Sequence, residues 1–434
     1  MNFRERIALA RLRLNWRWLQ LRTAFYRQGH SAVPSLVLVP CEPWSVVGSR
    51  GDEAMVYSIL RDFRLRHSEG RITIVTGSPD MAKTPDGQRL IRDFGVEFVH
   101  AWRPRLFLSN IVRVYRDVRA TEVYVLGADC MDGHWSMYLS ITLLAAADLA
   151  ARMGIATRLT GFSWNDHPCP EVIKAFRNVT PKLPILVRDP ISYERFVHDV
   201  RVGARVPRAR GPSGSAPLPS GTISKLVADV AFNLKARTTP EVQTELDWMG
   251  KQREAGRFVL GFNLHSMLVP KERLQGLIET VVTQLRLFLS AHPQVALALV
   301  PHDYREGGDL VVLRQIAQGL DTDDSRVRLV TAVLSAEELK ALVGGLDALF
   351  TSRMHLGIAA LGMGKPISAF AYQGKFVGLF KHVGLPETLI LPPESACELS
   401  ACLGKLVRDV VPMTQSVSES LPATLALAKV NLNG

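Results

Sequence analysis

Residues 348–387 read ALFTSRMHLGIAALGMGKPISAFAYQGKFVGLFKHVGLPE. An apolar run, Ala348–Ser352, ends in Arg353-Met354-His355, and a stretch of small residues at helical spacing follows. Gly364-Lys365-Pro366 then turns the chain into a second apolar run, which ends in Tyr372-Gln373-Gly374-Lys375. Strand, helix and strand in this order are the repeating unit of a parallel sheet. Ligands of such sheets bind beyond the carboxyl ends of the strands, which is where Arg353, His355 and Lys375 emerge. Three cations beside helix N-termini suit an anion. Taken singly, the same three side chains also read as a solvated Arg at a helix start, a capping His and a surface Lys.

The pattern extends in both directions. Upstream in the same half, Phe258–Leu264, Val295–Val300 and Val327–Thr331 read as strands, and Thr388–Leu391 follows downstream. Ser335 and Glu338 form an S-x-x-E capping box that opens one intervening helix. In the first half, strands are expected at Ser35–Pro40, Arg71–Gly77, Val96–Ala101, Thr121–Ala128, Ile155–Ser163, Pro184–Arg188 and Leu226–Phe232. Helices are expected between them, among them Gly51–Leu65, Met137–Met153 and Ile191–Val200. A polar, charged segment at 236–256 separates the two series and reads as a linker. The expected fold class is α/β, with a Rossmann-like doubly wound domain at 31–235, a second at 257–434 and a cleft between them. At 434 residues and 47% hydrophobic, the chain can fill two cores of ordinary size.

The net charge of +11 resembles that of a nucleic-acid binder until it is mapped. Residues 1–30 hold seven Arg and one Glu, and residues 201–225 hold four Arg and Lys225 with no acid, so these segments carry the whole excess. The remainder is neutral, whereas a nucleic-acid binder more often carries a basic face on its folded body, so no nucleic-acid partner is expected. The 201–225 segment, rich in Pro, Gly and Ser, reads as a loop. Five cysteines without zinc spacing read as buried free thiols in a reducing compartment. His134, His167 and His265 stand alone, without metal-ligand spacing. No apolar run is long enough to span a bilayer, no signal peptide is evident, and the expected location is cytoplasmic.

The S-R-x-H strand end, the small-residue helix, the G-x-P turn and the Y-x-x-K-x-x-G-x-x-x-x-x-G-L run together resemble the C-terminal signature of polysaccharide pyruvyl transferases. Other segments match in the same order. Gly51-Asp52-Glu53-Ala54 resembles the family's early G-D-E-A turn, and Val187-Arg188-Asp189 with Ser192 its R-D-x-x-S element. Asp229 and Phe232 resemble the strand closing its first domain, and Val300-Pro301-His302 with Asp309 its P-H segment. Departures fall at Gly48-Ser49-Arg50 and at Gly127-Ala128-Asp129-Cys130, with Asp132 close by, where an acceptor is expected. The resemblance implies a GT-B-like pair of Rossmann-type domains and phosphoenolpyruvate as donor substrate. No cofactor is expected, nor a metal, since clustered cations can stabilise the phosphate and no carboxylates there have metal-ligand spacing.

By that resemblance Arg188, Arg353, His355 and Lys375 form the donor set, since a carboxylate and a phosphate call for several fixed cations. Ketal formation protonates the methylene carbon of the donor, a task that suits His355, which alternatively binds only the phosphate. Asp52, Glu53 and Asp132 are candidates for the base that helps the attacking sugar hydroxyl. Asp52 and Glu53 equally suit a helix N-terminus. Asp52, Asp132 and His302 are the acceptor-side candidates, and His302 with Asp303 equally suits a packed, hydrogen-bonded role. Competing readings of the whole chain are a GT-B-type nucleotide-sugar glycosyltransferase and a non-catalytic polysaccharide-assembly protein.

The first 30 residues read as a basic amphipathic helix with two apolar stripes. Phe3, Ile7, Ala10, Leu14, Trp18, Leu21 and Phe25 form one, and Leu9, Leu12, Trp16 and Leu19 the other. Three outcomes are open: both stripes pack on the body, residues 1–28 lie on an anionic membrane beside a lipid-linked acceptor, or the segment is a cleaved targeting sequence.

Overall fold

The computed structural model of the chain describes residues 3–23, 26, 33–103, 106–201, 215–217, 221, 223–320, 325–371 and 374–432. Tyr372, Gln373, Phe25 and most of the basic segment 201–225 lie outside them. Two compact units result. The first comprises Met1–Gly48, Met55–Val230 and Leu427–Gly434, and the second Ser49–Ala54 and Ala231–Ala426.

In the first unit the β-branched runs become β1 (Ser35–Val39), β2 (Arg71–Thr76), β3 (Val96–His100), β4 (Glu122–Val125), β5 (Ala156–Phe162) and β6 (Ile185–Val187). The edge is made by β7 (Ser215–Pro217) and β8 (Ile223–Leu226). The order is β3-β2-β1-β4-β5-β6-β8-β7, with every pairing parallel except β7 on β8. All five residues of β1 are buried, as a central strand covered on both faces requires. The strand expected at Leu226–Phe232 lies earlier. After one more ladder bond, from Val227 N–H to the Val187 carbonyl, the chain leaves the sheet, and Val230–Asn233 is a 3-10 turn.

The second unit holds β9 (Phe258–Phe262), β10 (Val295–Leu299), β11 (Val327–Leu329), β12 (Ala348–Thr351), β13 (Ile367–Phe370) and β14 (Ile390–Leu391). Their order, β11-β10-β9-β12-β13-β14, is parallel throughout and repeats the 3-2-1-4-5-6 order of the first six strands. The capping box forms as read: the Glu338 N–H donates to Ser335 Oγ at 3.3 Å, and the Ser335 N–H to Glu338 Oε2 at 2.7 Å.

Two boundaries differ from the sequence reading. Residues 236–256 are mostly a helix, Pro240–Glu254, whose Val242, Glu245 and Met249 are buried within the second unit. Glu245 there receives Arg328 through two hydrogen bonds. A polar composition concealed two apolar anchors seven residues apart and a paired carboxylate. The last residues of the chain return to the first unit, where Asn431 accepts from the Gly161 N–H and donates to the Ala228 carbonyl.

The N-terminal helix α1 (Phe3–Thr23) settles one of its open outcomes. Leu9, Leu12, Trp16 and Leu19 are buried, whereas Leu14, Trp18 and Leu21 are 66%, 51% and 70% exposed, so only one stripe packs on the body. Trp16 Nε1 and Gln20 Nε2 both donate to Asp148, a fully buried carboxylate in the helix Met137–Arg152. Arg152 and the Thr180 N–H complete its partners. Among the cysteines, only Cys41 and Cys402 are buried and Cys397 is exposed, which corrects the reading of all five as buried. Among the described residues no helix is long and apolar enough to cross a membrane.

Candidate functional site

In the second unit the strand order reverses between β9 and β12, which opens a crevice at their carboxyl ends. Asn263 follows β9, His302 and Asp303 follow β10, and Arg353 follows β12 as the N-cap of the helix Met354–Gly362. These residues meet on Asp309, which is fully buried in the first turn of the helix Asp309–Gly319. Arg353 grips it through Nε at 3.1 Å and through a guanidinium N–H at 2.6 Å. Asn263 Nδ2 donates at 3.0 Å, and the backbone N–H groups of His302 and Asp303 donate at 3.2 Å each. Arg353 also reaches Asp303, which Arg305 holds with two side-chain hydrogen bonds. Burial opposes ionisation of Asp303, but the Arg305 hydrogen bonds and the charge of Arg353 outweigh it and keep the carboxyl well below its usual range.

The same cations act on two histidines. Burial, reinforced by Arg353, drives His302 well below its ordinary value and brings His265 down to about 4. His265 Nδ1 accepts the Met267 N–H at 2.6 Å, a role open only to an unprotonated nitrogen. A linkage follows. Above about pH 6.5 His265 is neutral in both folded and unfolded chains; below it the unfolded chain takes up a proton that the native state refuses until about pH 4. Stability is therefore expected to fall across that window by roughly 2 kcal/mol for this residue, after allowance for its partial solvent contact. Thermal melts of wild type and His265→Asn between pH 7 and the acid limit test this, and an unchanged slope in the variant would refute it.

Residues Ser49–Ala54 group with the second unit and complete the crevice. Arg50 pairs with the fully buried Glu53 at 2.9 Å and lies over the Tyr304 ring. Glu53 also accepts the Ala336 N–H at 3.2 Å. Gly51 lies against His355 so closely that a Cβ there would stand 2.4 Å from the ring Nδ1. Arg50, His302 and His355 line a water-sized cavity with the apolar Ala54, Leu339 and Leu356. The buried Nδ1 of His302 has no hydrogen-bond partner among the described residues. Two motifs about 300 positions apart in the sequence thus share one wall.

The members of the expected donor set belong to both units. Arg353 and His355 sit together, and Lys375 opens the helix Lys375–Val383 beyond β13, the neighbour of β12. Arg188 belongs to the first unit, where it is buried and bound to Asp229 at 3.0 Å and Ser163 at 2.7 Å. Arg188 and Arg353 each carry a carboxylate partner, while His355 and Lys375 are half-buried. Asp132 is buried in the first unit, and its oxygens accept three N–H groups from His134 and Asn165, so it is built as a turn staple. Asp52 caps α2 (Arg50–Arg66) with Ser49, whose hydroxyl donates to it at 2.8 Å. Arg50, Asn263 and the central place of Asp309 escaped the sequence reading. An acid in a helix's first turn ordinarily signals dipole stabilisation, and nothing local marks Asp309 as a hub. Among the described residues no three His, Cys, Asp or Glu side chains gather as a metal site requires.

Two Rossmann-type α/β units, each with a polar cluster where its strands end, define the class of protein. Residues 219–374, about a third of the chain, match the model of the polysaccharide pyruvyl transferase family. The segment includes Asn263, His302, Asp309, Arg353 and His355. By sequence, no curated protein matches the chain. In fold it is similar to the UDP-GlcNAc 2-epimerase of Neisseria meningitidis bound to UDP-GlcNAc, at 10% identity and a TM-score of 0.53 over 92% of this chain and 98% of that one. The Anabaena protein HepE in complex with UDP-glucose is similar at 13% identity and a TM-score of 0.52, over 92% and 97%. The N-terminal domain of the Candida albicans trehalose-6-phosphate phosphatase gives 13% and 0.53, over 94% and 97%. At such identities the likeness is one of fold, and it bears out the GT-B-like pair of Rossmann-type units.

Proposed function

We propose that the chain transfers the pyruvyl group of phosphoenolpyruvate to a sugar of a surface or exopolysaccharide precursor, forming a ketal and releasing phosphate. The observation that carries this reading is the match over 219–374, which spans the Arg353–Asp309–His302 cluster and His355. In the reaction His355 gives a proton to the donor's methylene carbon, and positive charge develops on the neighbouring carbon. A sugar hydroxyl adds there and passes its proton to Asp52, the C–O bond to phosphate breaks, and a second hydroxyl closes the ring. Its proton leaves with the phosphate. Of the two acids in the G-D-E-A turn, Asp52 suits the base, because Glu53 is committed to Arg50 and the Ala336 N–H. Lys375 supplies a point contact to phosphate, and the chain's own cations, without a metal or cofactor, neutralise the donor in this reading. The acceptor is a sugar on a lipid carrier, met at a membrane surface.

The test incubates the purified chain with phosphoenolpyruvate and candidate lipid-linked oligosaccharides, following phosphate release and the pyruvylated product by mass spectrometry. One phosphate per ketal is expected, with donor affinity about 10- to 100-fold weaker in Lys375→Ala. Sugar transfer from a UDP-sugar, without phosphate release from phosphoenolpyruvate, would establish a nucleotide-sugar transferase instead.

A further inference from the structure

The exposed stripe of α1 has no part in the reaction, yet its surroundings are specific. The helix is pinned in rotation, because Leu9, Leu12, Trp16 and Leu19 are buried and Asp148 holds Trp16 and Gln20. Ile7, Leu14, Trp18 and Leu21, at spacings of seven, four and three, are thereby fixed on the outward side. Large apolar side chains lined up in water in this way mark a docking surface.

The two flanks of the helix show what docks. On one side a hollow of about 280 Å³ is lined by Arg22, Arg113 and Arg116 with Trp18, Tyr26 and Met153. The Arg22 guanidinium lies 4.7 Å over the Trp18 ring, and that of Arg116 lies 5.9 Å over Tyr26. On the other side a hollow of about 350 Å³ is lined by Arg13, Arg17 and Lys174 with Gln20 and Asn178. Among the described residues, each hollow is lined by three cations and by no acidic side chain. An apolar ridge between two cationic troughs complements an anionic bilayer: the ridge enters the acyl boundary while the troughs receive phosphate headgroups. A second protein surface would more often present acids of mixed placement and would gain less from cations already stacked on aromatic rings.

We propose that α1 and the adjoining basic hollows seat the protein on an anionic lipid surface, with Leu14, Trp18 and Leu21 inserted and Arg113 and Arg116 among the headgroup ligands. This deepens the reading of a lipid-linked acceptor, but it rests on separate residues. The test measures co-sedimentation of the full chain with vesicles of phosphatidylcholine alone or mixed with phosphatidylglycerol, without donor or acceptor. Binding to the anionic vesicles is expected, weakened at high salt and at least 10-fold weaker to the neutral ones. Each arginine brought to the surface contributes about fivefold, so Arg113→Gln with Arg116→Gln should weaken binding by roughly 25-fold. The ridge variant Leu14→Ser with Trp18→Ser and Leu21→Ser should lose binding while keeping the wild-type melting temperature. Absence of binding to anionic vesicles at low salt would overturn the proposal, as would undiminished binding of the ridge variant. A wild-type dimer that the ridge variant abolishes would assign the ridge to a second copy of the chain. Phosphate release on a soluble acceptor is assayed apart, so neither result bears on the transferase reading.

Discussion

Asp309→Ala is expected to cost about 3–5 kcal/mol of unfolding free energy, the range for breaking a buried ion pair from one side. Asp309 is fully buried, and its two oxygens serve Arg353, Asn263 and the N–H groups of His302 and Asp303. Among the described residues the alanine leaves the Arg353 guanidinium Asp303 alone as a carboxylate partner, and Asp303 is shared with Arg305. It also strands two backbone N–H groups and one N–H of the Asn263 amide, whose Nδ2 keeps its bond to the Val300 carbonyl, in a buried interior where each unmet donor is costly. Asp309→Asn keeps the shape, but it removes the charge and replaces one acceptor with a donor, so a smaller loss of ~2 kcal/mol is expected. Urea unfolding of the three proteins at neutral pH measures both. An unfolding free energy within about 1 kcal/mol of wild type for the alanine variant would show that Asp309 is not the hub that the hydrogen bonds describe.

Why the sequence disclosed the sheets so much better than the hub is a matter of range. A parallel strand is a local event: buried on both faces, it writes four to six apolar residues in a row, and Val295–Leu299 or Ser35–Val39 can be read without knowing its neighbours. The capping box of Ser335 and Glu338 is local in the same way. Asp309, Asn263 and Arg353 come from three separate stretches, and their union depends on the reversal of strand order between β9 and β12. Motif resemblance singles out Gly51-Asp52-Glu53 and Arg353–His355, two stretches that the fold brings side by side. What it could not supply was that Gly51 lies against the His355 ring, or that Arg188 and Arg353 are each held by a carboxylate. The helix Pro240–Glu254 failed for the opposite reason: its anchors are few, and its Glu245 is buried only because Arg328 comes from another strand.

If the proposed reaction holds, with His355 as its acid, Gly51→Ala is expected to slow pyruvyl transfer by about 100-fold or more, the range for losing a positioned general acid, while the protein remains folded. A Cβ at this position would stand 2.4 Å from Nδ1 and 2.8 Å from Cγ of His355, distances that no ring tolerates, so the imidazole must rotate away. Stability should change little, because alanine in a helix's first turn recovers up to about 1 kcal/mol of backbone entropy against the strain of moving the ring. Rate and stability therefore separate, which a general loosening of the fold would not produce. His355→Gln serves as the reference. If His355 is the acid, kcat falls and the limb of the pH–rate profile that reports its ionisation disappears; if it only binds phosphate, KM rises and kcat is kept. The double variant decides whether Gly51 acts through His355. Residues acting as one unit are not additive, so adding Gly51→Ala to His355→Gln should cost almost nothing further. A Gly51→Ala enzyme with the wild-type rate, or losses that multiply in the double variant, would show that the contact between the G-D-E-A turn and His355 does not set the position of the acid.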